Sequence, residues 1–267
     1  MRNFRIILFT LLSVCSLTVR GASDLNSVLE RGRDLFGYGR WSDARHEFLR
    51  ARALLDPADR AAREEIDYYL AACAVELGSD DAEGALRDFE RRHPGSVYAN
   101  DVRFSLGSYY CAVGNMPLAR EAFERTEYKA LSAPRREQYD IRMGYVEFTQ
   151  GDYAAAYDRF SRIGSRSEYA DHALYYRSYI DYAEERYDRA KDGFTQLTRS
   201  DAYRDLVPFY LLQIEFRNGN YRYVVDHGEE LVRKAVPERQ AELERVIAES
   251  WFRLDDYNAA IEHMERY

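Results

Sequence analysis

The sequence predicts an all-α fold, a solenoid of about seven antiparallel helix pairs. Three observations predict it. The phrase Gly151-Asp152-Tyr153-Ala154-Ala155-Ala156-Tyr157-Asp158-Arg159-Phe160, read as Gly-x-Tyr-x-x-Ala-x-x-x-Phe, recurs along the chain. Its small residue falls at Ala44, Ala85, Ala119, Ala156, Ala190, Val224 and Ala260, at spacings of 34 to 41 residues, and periodicity of that length marks a stacked array. The remaining apolar residues keep a helical period, with no convincing period-two alternation and no long Gly/Ser linker.

Each position of the phrase has a physical task. Three residues before the anchor stand Trp41, Ala82, Met116, Tyr153, Tyr187, Tyr221 and Tyr257; four after stand Phe48, Phe89, Phe123, Phe160, Phe194, Gly228 and Met264. Residues at i, i+3 and i+7 share one helix face, so ring, anchor and Phe form a single stripe. Twelve residues before the anchor lie Gly32, Cys73, Gly107, Gly144, Ser178, Leu212 and Ala248, mostly small, which lets two antiparallel helices approach closely. Gly114-Asn115, Gly151-Asp152 and Gly219-Asn220 are predicted turns, because Gly accepts positive φ. Glu185-Arg186 and Asp255-Asp256 fill that role without Gly, at some cost.

In chain order, residues 1–22 read as an export signal. Arg2 and Arg5 precede an uncharged stretch, Ile6–Val19, that is 14 residues long, short of the roughly 20 a spanning helix needs. Cys15 follows a lipoprotein-like Leu12-Ser13-Val14, although Val14 is bulky for that reading. Residues 23–267 read as one solenoid. Pro57, Pro94, Pro134 and Pro237 fall at seams between helix pairs, and Pro117 and Pro208 near helix starts. Ile261 and Met264 in the last helix are expected to face nothing beyond, where a solenoid normally carries a polar cap. The expectation is a truncated longer array, or an end that docks on a partner.

Leu106-Gly107 with Tyr110, Ala119 and Phe123 resembles the tetratricopeptide repeat family. The resemblance covers about residues 24–267. It implies a right-handed superhelical solenoid whose first helices line a concave, protein-binding surface. Pro94-Gly95-Ser96-Val97-Tyr98 and Ser167-Glu168-Tyr169-Ala170 resemble a bacterial periplasmic subtype, so an envelope setting is expected.

The charge balance, 38 basic against 46 acidic residues and net −8, argues against nonspecific nucleic-acid binding. Cys73 and Cys111 read as two separate thiols; a disulfide is the alternative. His46, His93, His172, His227 and His263 show no metal-ligand spacing, phosphate-binding glycine loops are absent, and no cofactor is expected. Glu249-Ser250-Trp251-Phe252 resembles the catalytic signature of lytic transglycosylases, with Glu249 as acid/base, but that family's downstream stretches are missing. The enzyme reading is therefore the alternative. A purely structural segment of a longer array is a third possibility.

The strongest binding signal is aromatic. If the family geometry carries over, Tyr145, Phe148, Tyr175, Tyr179, Tyr182, Phe209, Gln213 and Phe216 line the first helices of repeats four to six. Tyr combines an apolar body with a polar tip, which suits an interface; packing between neighbouring helices is the competing role. Family members that clamp a terminal carboxylate use Lys, Asn and Arg. The matching positions here carry Leu29, Arg33, Phe36, Tyr175, Tyr179 and Tyr182, so no such clamp is expected.

Overall fold

The computed structural model describes residues 24–267. Arg2, Arg5, Cys15 and the Ile6–Val19 stretch lie outside the described residues. Within them the chain is helical, with no strand. Helix α1 spans 24–37. It is followed by α2 (Trp41–Leu54), α3 (Arg60–Glu76), α4 (Ala82–Arg92), α5 (Ala99–Ala112), α6 (Met116–Glu124) and α7 (Ala133–Thr149). Then come α8 (Tyr153–Ser161), α9 (Ala170–Ala183), α10 (Tyr187–Leu197), α11 (Val207–Arg217), α12 (Tyr221–Lys234), α13 (Pro237–Arg253) and α14 (Tyr257–Arg266). Helices consecutive in sequence pack together, the arrangement of a helical solenoid. The chain forms two compact units, one up to Arg142 and the other Met143–Tyr267, with the division inside α7.

In the first unit, Gly32 lies against Phe48 and Gly107 against Phe123. A Cβ added at either glycine would meet ring carbons at 2.9 and 2.6 Å. The glycine lets the two helices of a pair close on the ring between them. Ala44, Ala119, Phe48 and Phe123 are fully buried as a result.

The second pair departs from the expected register. Ala82, Leu86 and Phe89 are its buried residues, and Ala85 lies at the margin. Helix α4 is rolled toward Leu86, because burying a leucine removes more apolar area from water than burying an alanine. Cys73 is buried and Cys111 half-buried, and both are free thiols. Burial pushes each up to about 11, which keeps the reactive thiolate scarce.

In the second unit, Gly144 meets Phe160 as Gly107 meets Phe123; an added Cβ would lie 2.8 Å from the ring. Ala156, Ala190, Val224, Phe160 and Phe194 are fully buried. The sixth pair exchanges large and small. Leu212 stands where the first, third and fourth pairs have Gly, and Gly228 stands where the first five pairs have Phe. Ile247 of α13 and Leu212 fill the space above Gly228. At the end of the chain Phe252, Tyr257, Ile261 and Met264 are each more than half exposed.

Turns between paired helices use the left-handed region. Gly114, Gly151 and Gly219 have φ of 78, 80 and 80°, while Glu185 and Asp255 occupy the same turn position at 60 and 64°. A residue with Cβ pays about 1–2 kcal/mol there. Glu185→Gly and Asp255→Gly are each expected to stabilise their helix pair by about 1 kcal/mol. Hydrogen exchange at the α9–α10 and α13–α14 turns checks this; slower exchange is expected, and faster exchange would contradict it. Asn115, Asp152 and Asp256 accept from the backbone N–H three residues on and cap the second helix.

Candidate functional site

The aromatic residues sit on three first helices of the second unit. The part of α7 after Met143 carries Tyr145 and Phe148; α9 carries Tyr175, Tyr179 and Tyr182; α11 carries Phe209, Gln213 and Phe216. Spacings of three, four and seven place each set along one helix face.

Tyr145 is the most open of the eight, at 36% exposure. Phe148, Tyr179, Tyr182 and Phe216 are half-buried. Phe148 meets Tyr179 edge to face at 5.4 Å, and Phe216 meets Tyr221 of α12 edge to face at 5.9 Å. Tyr175 serves packing more. It stacks on Tyr203 at 4.6 Å, and its hydroxyl lies 3.3 Å from that of Tyr210. Burial first, then the Tyr210 hydrogen bond, raises the Tyr175 phenol well above its ordinary range. Phe209 lies beneath the Arg239 guanidinium at 5.2 Å. Gln213 is buried and donates to Glu242.

Two features were not read from the sequence. Tyr176 and Tyr210 hold the rings in place. Tyr176 stacks on Phe160 at 5.1 Å and touches Phe148 at 5.0 Å. Tyr210 stacks on Phe194 at 4.9 Å and meets Tyr179 and Tyr182 edge-on. Both stand fourteen residues before an anchor, a regularity visible in the sequence. The second feature is a row of buried carboxylates nine residues before the anchor: Glu147, Asp181 and Glu215. Each pairs with a cation of an adjacent second helix or its cap: Glu147 on α7 with Arg159 of α8 at 3.4 Å, Asp181 on α9 with Arg186 at the start of α10 at 2.6 Å, and Glu215 on α11 with Lys191 of the preceding α10 at 2.6 Å.

The Glu215 pair gives a pH prediction. Burial alone would raise this carboxyl, but hydrogen bonds from Lys191 and Asn220 outweigh it and lower it below its ordinary value. A depressed folded-state value stabilises the protein above the unfolded carboxylate range and loses that contribution as pH falls through the folded value. Stability of the α10–α11 contact is therefore expected to fall below about pH 4.5, and Glu215→Gln is expected to flatten that slope. Thermal unfolding at pH 3.5 to 7 checks it; an unchanged slope would contradict the assignment.

No protein-family model matches this sequence, and no curated protein matches it. Among solved structures, a tetratricopeptide repeat protein from Parabacteroides merdae superposes with a TM-score of 0.52 at 14% identity, covering 91% of both chains. The fold is the tetratricopeptide repeat. The quorum sensor NprR from B. thuringiensis, in its apo form, gives a TM-score of 0.48 at 13% identity over 92% of this chain and 75% of its own. The Cut9–Hcn1 hetero-tetramer gives 0.46 at 15% identity over 90% and 45%. Neither of these two adds to the fold assignment.

At the clamp positions of the first tetratricopeptide repeat, Leu29 is buried and Arg33 is paired with Glu65 at 2.7 Å. In the seventh repeat Glu249 lies between Arg245 at 3.3 Å and Arg253 at 3.6 Å, with its side chain partly open to solvent. A catalytic acid needs a closed apolar cleft that favours the protonated form. Glu249 instead sits in two ion pairs at a partly open surface. Ser250 and Trp251 are packed into repeat seven, with Ser250 Oγ donating to the Val246 carbonyl. Among the described residues no cluster of His, Cys or acids fits a metal ion, and no helix is long and apolar enough to cross a membrane.

Proposed function

We propose that this chain is a non-catalytic protein-interaction scaffold that holds a partner segment along the aromatic lane of its second unit. One observation carries the reading. Tyr145, Phe148, Tyr179, Tyr182 and Phe216 keep partly open faces on successive first helices, while Tyr176 and Tyr210 hold most of them rigid from behind. Rigid aromatic side chains lose little entropy on binding and supply large contact area. Such a lane fits an extended or helical segment with apolar anchors. Gln213 is not part of it, because its amide is turned inward to Glu242.

The setting we propose is the bacterial cell envelope, with residues 1–22 as export signal. Arg2, Arg5 and the apolar run Ile6–Val19 support that reading. Affinity capture from envelope extract tests the function. The triple variant Tyr145→Ala, Tyr179→Ala, Phe216→Ala is expected to lose the captured partner. Equal recovery by the native and triple-variant chains discards the aromatic lane.

A further inference from the structure

The first unit holds a second groove of different character. It runs across α3, α5 and α7, encloses about 610 Å3 and is split by charge. One wall is basic: Arg135 and Arg142, two helical turns apart on α7. The opposite wall carries the exposed carboxylates of Glu76 and Asp80. Ser105 and Ser108 of α5 lie between them.

The basic wall is prearranged. Both guanidinium groups sit over the buried Phe104 ring, at 5.3 and 5.7 Å from its centre. Arg142 Nη1 donates to Ser108 Oγ at 2.6 Å, and no carboxylate pairs with Arg142 among the described residues. Arg135 Nη1 lies 3.2 Å from Asp101 Oδ1 but out of hydrogen-bonding line, and is buried without an acceptor. A buried donor left without an acceptor calls for an explanation. Of these two half-buried cations only Arg135 has a carboxylate beside it, which leaves an excess of positive charge on that wall.

We propose that this groove binds an extended peptide segment carrying a carboxylate for Arg135 and Arg142 and, several residues away, a cationic side chain for Glu76 and Asp80. A carboxylate takes paired N–H donors in a geometry guanidinium groups match. The acidic wall repels a uniformly anionic ligand and recruits the cation. Neighbouring helices lie 8–10 Å apart, so α3 and α7 are separated by roughly 16–20 Å. An extended chain advances about 3.3 Å per residue, and the two charges are then separated by about four to six residues. The proposal rests on the reading of the chain as a protein-binding scaffold but uses a different groove from the aromatic lane.

The test is a fluorescence-anisotropy titration of the full chain with labelled peptides blocked at both ends. The probe has one lysine and one glutamate separated by four residues of an alanine- and proline-based spacer. Replacing its glutamate by glutamine is expected to weaken binding about tenfold; this comparison leaves the protein untouched, so misfolding cannot imitate it. Arg135→Gln and Arg142→Gln are each expected to weaken binding about tenfold, and Arg142→Lys less. Glu76→Gln with Asp80→Asn is expected to weaken the lysine-bearing probe and spare one lacking lysine. Tyr145→Ala with Tyr179→Ala is expected to leave this titration unchanged, so failure of the aromatic lane and failure of this groove are separable. Absence of binding at millimolar probe, or equal binding of the glutamate and glutamine probes, overturns the proposal.

Discussion

Gly107→Leu is expected to destabilise the third repeat by about 3 kcal/mol, the upper end for overpacking a filled core. A Cβ at this position would already lie 2.6 Å from two ring carbons of Phe123. Phe123 has little room to retreat, because the Tyr139 ring stands edge-on to it at 5.1 Å and Phe104 lies at 6.1 Å. The sixth repeat shows the compensating solution, a leucine at the first-helix position facing a glycine on the second helix. The double variant Gly107→Leu, Phe123→Gly is therefore expected to be more stable than Gly107→Leu alone. In a linear array the damage stays local. Hydrogen exchange of α5 and α6 amides, with chemical denaturation, reads both effects. Native-like protection in Gly107→Leu would show that the close approach of α5 and α6 is not required.

Phe194→Ala is expected to cost about 3–5 kcal/mol, the range for emptying a buried aromatic site. Its ring is fully buried and stacks on Tyr210 at 4.9 Å. The consequence reaches the candidate site, because Tyr210 in turn supports Tyr175, Tyr179 and Tyr182. Near-ultraviolet circular dichroism is expected to lose tyrosine signal beyond what Tyr145→Ala removes. Partner capture is expected to fall although Phe194 itself touches no solvent. Phe194→Leu, which keeps most of the volume, is expected to lose much less of both. Equal signals for the alanine and leucine variants would uncouple the lane from its support.

The repeat was legible because its signals are local. Anchor, Phe and turn lie within a dozen residues, and a helix face follows from spacing alone. Ala44, Ala119, Ala156 and Ala190 are all fully buried as that spacing requires. The register of α4 was not legible. Ala85 matched the spacing, but Leu86 beside it had more to gain from burial. The same limit applied to the rings. Tyr175 and Tyr179 look alike in sequence, yet one stacks beneath Tyr203 and the other keeps a partly open face. Gln213 shares the position of Tyr145 and Tyr179 within its repeat, and it is buried against Glu242.

By itself, then, the amino-acid order determined that this chain makes paired helices, where most of them turn, and which glycine lets the first, third and fourth pairs close. Those properties depend on neighbours a few positions away. Only the tertiary structure decided which aromatic faces stay open and which carboxylates are buried with a cation. It also decided that Arg135, Arg142, Glu76 and Asp80 face one groove. Those outcomes depend on which helix faces the fold brings together, and periodicity assigns a side chain to a face of its helix without naming what that face will meet.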